Sequence, residues 1–196
     1  MSTGSVESQN RAVARPRDMV LMTILALIIA LVIMEFVGRQ SLGALVIQGM
    51  AWPVQVVYGI LIGLSLSLSI TMLINRIFAF ESFRRQLVEI VSRVDLSGFN
   101  PIWFSLCAGV GEELLFRGAL QPILGLWFTS LLFTAAHFQT GRFRTMNRMK
   151  AVYALFVYFV SLLLGVVFVR IGLIAAITTH IVADIVFLTT LRPVRR

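Results

Sequence analysis

Cysteine, histidine and charge are all scarce in this chain of 196 residues. Its one cysteine, Cys107, excludes an intrachain disulfide, so the redox compartment cannot be read from pairing. Only 13% of residues are charged against 58% hydrophobic, and the mean hydropathy is +0.91. Soluble domains carry about twice that share of charge. Acidic residues are few, 9 against 17 Lys and Arg, for a formal net charge of +8. A basic chain raises the question of nucleic acid. Here the basic residues gather at the ends of apolar runs, as topology determinants do, and no nucleic-acid partner is expected. The two histidines, His137 and His180, both lie in apolar sequence. Ionisable groups in such a setting are costly and are rare without a function.

The apolar runs imply an all-α, polytopic transmembrane helix bundle of about six spans, with one amphipathic surface helix. About 20 apolar residues cross a bilayer core. The expected spans are Met19–Val37, Trp52–Ile74, Pro101–Gln121, Pro122 to about Phe138, Ala151–Val169 and Gly172–Leu191. Residues 1–17 are polar and aperiodic and read as a disordered tail. The next unit, residues 18–97, holds the first two spans and the amphipathic segment. Residues 98–191 form a second helical unit, and 192–196 a basic tail. Asn100 and Pro101 suit the N-cap and first turn of a helix, and Pro122 suits the start of another.

In residues 78–96, Phe80, Phe83, Leu87, Ile90, Val91 and Val94 recur at helical spacing. Glu81/Arg85 and Glu89/Arg93 form i,i+4 pairs on the other side. Such a helix can lie on the membrane surface or pack on the end of the bundle, and the sequence leaves both open. With both termini cytoplasmic, the inner side holds Arg11, Arg15 and Arg17, then Arg76, Arg84, Arg85 and Arg93, then Arg142, Arg144, Arg148 and Lys150, and finally Arg192, Arg195 and Arg196. Arg39 and Arg170 alone are left outside.

The chemistry concentrates in three apolar segments. Glu113 and Arg117 are four apart on one helix, share a face and can pair. Glu112 is rotated about 100° away and has no partner within its own helix. A carboxylate so placed suits general acid/base work. His180 and Asp184 also share a face, so the carboxylate can orient the imidazole, or the two can bind an oxygen together. His137 closes the preceding segment. Glu112, His137 and His180 are the residue types of a zinc site, but no His-Glu-x-x-His pair stands on one helix. A thiol mechanism through Cys107 has no neighbouring base in sequence; the residue reads as apolar packing.

Glu-Glu-x-x-x-Arg, then Phe-x-x-x-His, then His-x-x-x-Asp, with Gly111 and Gly118 flanking the first motif, resembles the CPBP intramembrane proteases over about residues 98–191. That family includes CAAX prenyl endopeptidases and bacteriocin-processing and self-immunity proteins. The resemblance implies a membrane-embedded endopeptidase without an obligatory metal. Glu112 would activate water with help from His137, His180 and the residue at 184 would stabilise the oxyanion, and Glu113 and Arg117 would support them. Better-known members carry Asn where this chain has Asp184, and an ionised carboxylate cannot donate to an oxyanion. The expected partners are membrane lipid and a protein or peptide substrate. The expected location is a bacterial plasma membrane. A non-catalytic scaffold or immunity protein and a transporter are the competing readings. Transporters often show repeated halves, and no internal repeat is present here.

Taken as six straight spans, the chain would scatter Glu112, His137 and His180 by roughly 10 Å in depth. A common site therefore requires tilted, broken or shifted helices.

Overall fold

The computed structural model describes residues 14–38, 41–76, 81–139 and 148–191. Helix α1 (Pro16–Ile33) runs on into a π-helical turn, Met34–Gly38. It is followed by the short α2 (Leu42–Ile47), α3 (Trp52–Arg76), α4 (Glu81–Val91) and α5 (Asn100–Glu113). A π-helical segment, Leu114–Leu120, then leads without a break into α6 (Gln121–Gln139), and α7 (Arg148–Arg170) and α8 (Leu173–Thr190) complete the bundle. No strand forms among the described residues.

Five stretches are long and apolar enough to cross a membrane: Pro16–Gly38, Trp52–Arg76, Asn100–His137, Arg148–Arg170 and Leu173–Thr190. Much of their outer surface is large and apolar, including Leu21, Leu61, Met72, Phe159 and Val169. This is an integral membrane protein.

The third stretch is 38 residues long. Drawn straight it would extend about 57 Å, nearly twice a hydrocarbon core of about 30 Å. It folds back instead. Phe116 and Phe133 would be about 25 Å apart along one straight helix, yet their ring centroids are 5.0 Å apart. The reversal is at Gly125, with φ 77° and ψ 170°, a conformation that essentially only glycine adopts freely. The two expected spans are thus the limbs of a helical hairpin, and the break lies at Gly125 rather than Pro122. Helix continues through Pro122, which cannot donate to the turn before it. The π-helical segment ends just ahead of that proline, with Gln121 N–H donating to the Phe116 carbonyl.

Small residues set how α8 sits. A β-carbon on Gly59 would lie 2.6 Å from Thr178 Cβ, and one on Gly63 would lie 2.8 Å from the Thr179 carbonyl oxygen. Gly59, Gly63 and the buried Ser67 make a stripe at i,i+4 spacing on α3 that lets the two backbones approach. At the end of the bundle near Gly125 and Gly172, Gln55 is fully buried. It donates to the Gln48 and Met50 carbonyls and accepts from Ala175 N–H.

At the opposite end, α4 packs on the bundle. Phe83, Leu87 and Ile90 are buried with Ile74 of α3 and with Tyr153 and Val157 of α7, and Phe83 meets Phe156 edge-to-face at 5.8 Å. The apolar face is therefore covered by protein rather than by lipid, which decides between the two alternatives that the periodicity allows. Glu81 pairs with Arg84 at 3.1 Å and with Arg85 at 3.5 Å, and Glu89 pairs with Arg93 at 2.9 Å, on the polar side. Hydrogen bonding from Arg84 holds the Glu81 carboxyl below its usual range. Phe80 and the basic residues Arg142 and Arg144 lie outside the described residues.

Order reaches back further than the expected tail. Ala14 exchanges backbone hydrogen bonds with Arg93 and Asp95 at 2.9 and 3.0 Å, and α1 starts at Pro16. Ala14 and Leu191 pack against one cluster, Val91, Leu96 and Phe104, so the two ends of the described chain lie at the same end of the bundle.

Candidate active site

Three elements converge at mid-bundle: the end of α5 with its π-helical continuation, the returning limb of α6, and α8. Gly111 helps place the first, because α1 lies close against it. A β-carbon there would be 3.1 Å from the Thr23 side chain. The next two residues diverge, as helical geometry requires.

Glu113 turns inward and is fully buried. Its Oε2 lies 3.1 Å from Arg117 Nε, and its Oε1 lies 2.7 Å from His180 Nδ1. Arg117 is fully buried too. It donates from one terminal nitrogen to both the carbonyl and the hydroxyl of Ser161, each at 2.9 Å. Its guanidinium carbon stands 4.6 Å from the centre of the Phe133 ring, a cation–π contact. A buried ion pair needs such added contacts to offset desolvation.

Glu112 turns the other way. Its Oε2 lies 3.8 Å from His137 Nε2. Glu112 Oε2 is shielded from solvent and makes no hydrogen bond among the described residues. His137 Nδ1 is 2.9 Å from the Phe133 carbonyl. A carbonyl only accepts, so Nδ1 carries the proton and Nε2 is the ring atom presented to Glu112. At 3.8 Å the two atoms are too far apart for a hydrogen bond and close enough to share a water.

His180 completes the arrangement. Glu113 holds its Nδ1, and its Nε2 faces Asp184 Oδ2 at 3.5 Å, the limit of a hydrogen bond. Phe133 lies between the histidines, its ring 4.4 Å from that of His137 and 6.3 Å from that of His180. His137, His180 and Asp184 open onto a cavity of about 130 Å³. Its other walls are largely apolar and come from α3, α6, α7 and α8. Among the described residues, no three or more side chains of the His, Cys, Asp and Glu types are grouped to hold a metal ion. Glu112, His137 and His180 therefore do not make a three-ligand set.

The structure links Glu113 to Arg117 and His180, and His180 to Asp184, and sets Glu112 against His137, but Glu112 is not among the residues lining the cavity. It changes one position: Glu113 is not behind the site but in direct contact with His180. Two further contributors stand outside the expected site residues. Phe133 is visible as a motif residue, four before His137, but its place between the imidazoles is not. Ser161 lies 44 residues from Arg117, and nothing local distinguishes it from other span serines. Cys107 lies against α1, its carbonyl accepting from the Thr23 hydroxyl at 2.9 Å.

Residues 96–186 match the family described as Rce1-like, type II CAAX prenyl endopeptidase Rce1-like. The match spans all three motifs. The matched segment is similar to that family, which agrees with the CPBP resemblance of the three motifs. An uncharacterized protein of Bacillus subtilis (strain 168), YpbD, is 36% identical over 92 residues. The aligned stretch is 46% of this chain and 45% of that relative, so the chain covers about half the relative's length. No solved structure matches. The matched segment runs from just before α5 into α8 and includes the ion-paired core and both histidines. Helices α1 to α4 lie outside it.

Proposed function

We propose that this protein is an integral-membrane endopeptidase that hydrolyses a peptide bond at or within the membrane, with Glu112 as the base that activates water. The observation that carries this reading is the division of labour between adjacent glutamates. Glu113 is committed to Arg117 and His180, whereas Glu112 faces His137 Nε2 across a gap that one water can bridge.

In this reading His137 orients the water through Nε2 while Glu112 takes its proton as oxygen attacks the scissile carbonyl. Glu112 can then return the proton to the departing amine. His180, held by Glu113, turns its Nε2 side toward the cavity. When protonated there it donates to the oxygen on which negative charge develops. Asp184 acts as a carboxylate that helps to set the His180 ring. No metal is assigned a step. The Glu112→Gln variant is the direct test, read as loss of membrane-protein cleavage in a folded, inserted protein.

The role of Asp184 has its own test. Glu113 already fixes His180 at 2.7 Å, and Asp184 stands at 3.5 Å. Asp184→Asn keeps an oxygen at the same place, so the rate should fall by less than about tenfold, the worth of roughly one ordinary hydrogen bond. A fall of about a thousandfold would mean that the Asp184 charge is essential and that Glu113 alone does not set the His180 ring.

The orientation proposed is six crossings in a bacterial plasma membrane with both termini cytoplasmic. Reporter fusions after Arg39 and Arg170 should read as outside, and those after Arg85 and Arg144 as inside. A cytoplasmic signal at either of the first two sites would overturn it.

A further inference from the structure

The cavity beside the histidines has one wall that the matched segment does not supply. Leu66, Ser67 and Ile70 of α3 face Phe156, Val157 and Val160 of α7 across it. Both helices pack along α8, yet they hardly touch each other. Among the described residues they are joined above and below the cavity, and Ile70 itself packs against the cluster that holds Val157. Toward Gly172, Ile62 of α3 and Val167 of α7 share a cluster with Ala175 and Ala176 of α8. At the other end, Phe83 and Leu87 of α4 join Ile74 of α3 to Tyr153 and Val157 of α7. Between these two closures the flanking surface is the lipid face of the protein, with Leu64 and Leu68 exposed on α3 and Leu155 and Phe159 exposed on α7.

We infer that the gap between α3 and α7 is the doorway through which an extended, membrane-embedded peptide segment reaches the histidines, and that Ile70 and its neighbours Leu66 and Ser67 set the size of the apolar side chain admitted. The inference rests on the endopeptidase reading and names the substrate class for that site. The segment must be extended, because a helix with its side chains is about 10–12 Å across and the cavity measures about 130 Å³. A cavity of about 150 Å³ holds one benzene, so the enclosed part of this one has room for a single medium-sized apolar side chain. The side chain must be apolar because, among the described residues, the walls apart from Ser67, Tyr153 and the site groups are hydrocarbon. Ser67 itself is spent on the Gly63 and Leu64 carbonyls.

Two measurements test this. In a Cys107→Ser background, Ile70→Cys, Leu68→Cys and Ser130→Cys are each placed in phosphatidylcholine vesicles and treated with N-dodecylmaleimide or with a membrane-impermeant sulfonated maleimide. A doorway predicts that the lipid-borne reagent labels position 70 within a few-fold of the lipid-facing position 68. The charged reagent should label position 70 at least about tenfold more slowly. Labelling at 70 as slow as at the buried position 130 removes the doorway, even in an active protease. The second measurement compares new N-termini in membranes of cells carrying the native protein, Ile70→Ala or Ile70→Phe. Residues flanking the cut should shift to larger apolar types with Ala and to smaller ones with Phe. Unchanged flanking residues at unchanged activity overturn the selectivity role. Absence of any Glu112-dependent cleavage by the native protein removes the endopeptidase reading itself, whichever way the labelling falls.

Discussion

Glu113→Gln is expected to yield a protein that is both inactive and poorly folded. Glu113 serves two cationic or donor partners with its two oxygens, Arg117 at 3.1 Å and His180 at 2.7 Å, and neither it nor Arg117 has any exposure. Neutralising it leaves the guanidinium buried beside Ser161 and Phe133 without a counter-charge. Breaking a buried pair from one side costs about 3–5 kcal/mol, a large share of a typical total stability. Thermal unfolding in detergent micelles should show the loss directly. A second variant separates structure from chemistry. Glu113→Gln combined with Arg117→Met removes both charges and replaces the guanidinium with an apolar chain, a change that is often neutral. Its stability should recover while activity does not, because His180 still lacks its carboxylate. Recovery of both would show that Glu113 serves Arg117 alone.

Glu112→Gln should behave in the opposite way, staying folded and inserted while losing about 10²–10⁴-fold in cleavage, or more if base and histidine act as one unit. Among the described residues Glu112 carries no ion pair to a guanidinium, and its side chain is 29% exposed, so removing its charge breaks no buried ion pair seen there. Glutamine retains shape and hydrogen-bonding capacity but cannot accept the proton of water. The measurement is processing of membrane proteins in cells, with unfolding temperature as control. Full biological function in this variant would defeat the protease reading and leave a membrane scaffold. Inactivation by a chelator with recovery on adding zinc would move the site to metal-assisted hydrolysis.

The contrast between neighbouring glutamates is legible in the sequence alone, because it depends only on rotation within one helix. One residue step turns the side chain by about 100°, and the structure places the two carboxylates against different histidines. The Glu113–Arg117 and His180–Asp184 pairs are legible for the same reason, each being i,i+4 within one element. The amphipathic character of α4 is equally plain, but what covers its apolar face is not. Lipid and a protein surface both satisfy the same periodic pattern, and only the packing of Phe83 and Leu87 on α3 and α7 decides.

The reversal of the third stretch shows where local rules stop. Proline at a helix start is a sound signal, and it points to Pro122. The turn lies at Gly125, because what a reversal needs is a residue free to take positive φ, and this chain has 14 glycines with nothing local to mark that one. The turn matters for the site, since it brings His137 back beside Glu112.

By itself the sequence determined the membrane class, the apolar stretches, the clustering of basic residues and the set of side chains available for chemistry. All of these are local quantities of hydropathy, charge and helical phase. Only the tertiary structure decided that Glu113 holds His180, 67 residues away, that Ser161 receives Arg117, 44 residues away, and that α3, α7 and α8 line a cavity beside the histidines. Those relations depend on how closely whole helices approach. At Gly59 and Gly63 that approach is set by the absence of a side chain, and such an absence acquires meaning only when another helix lies against it.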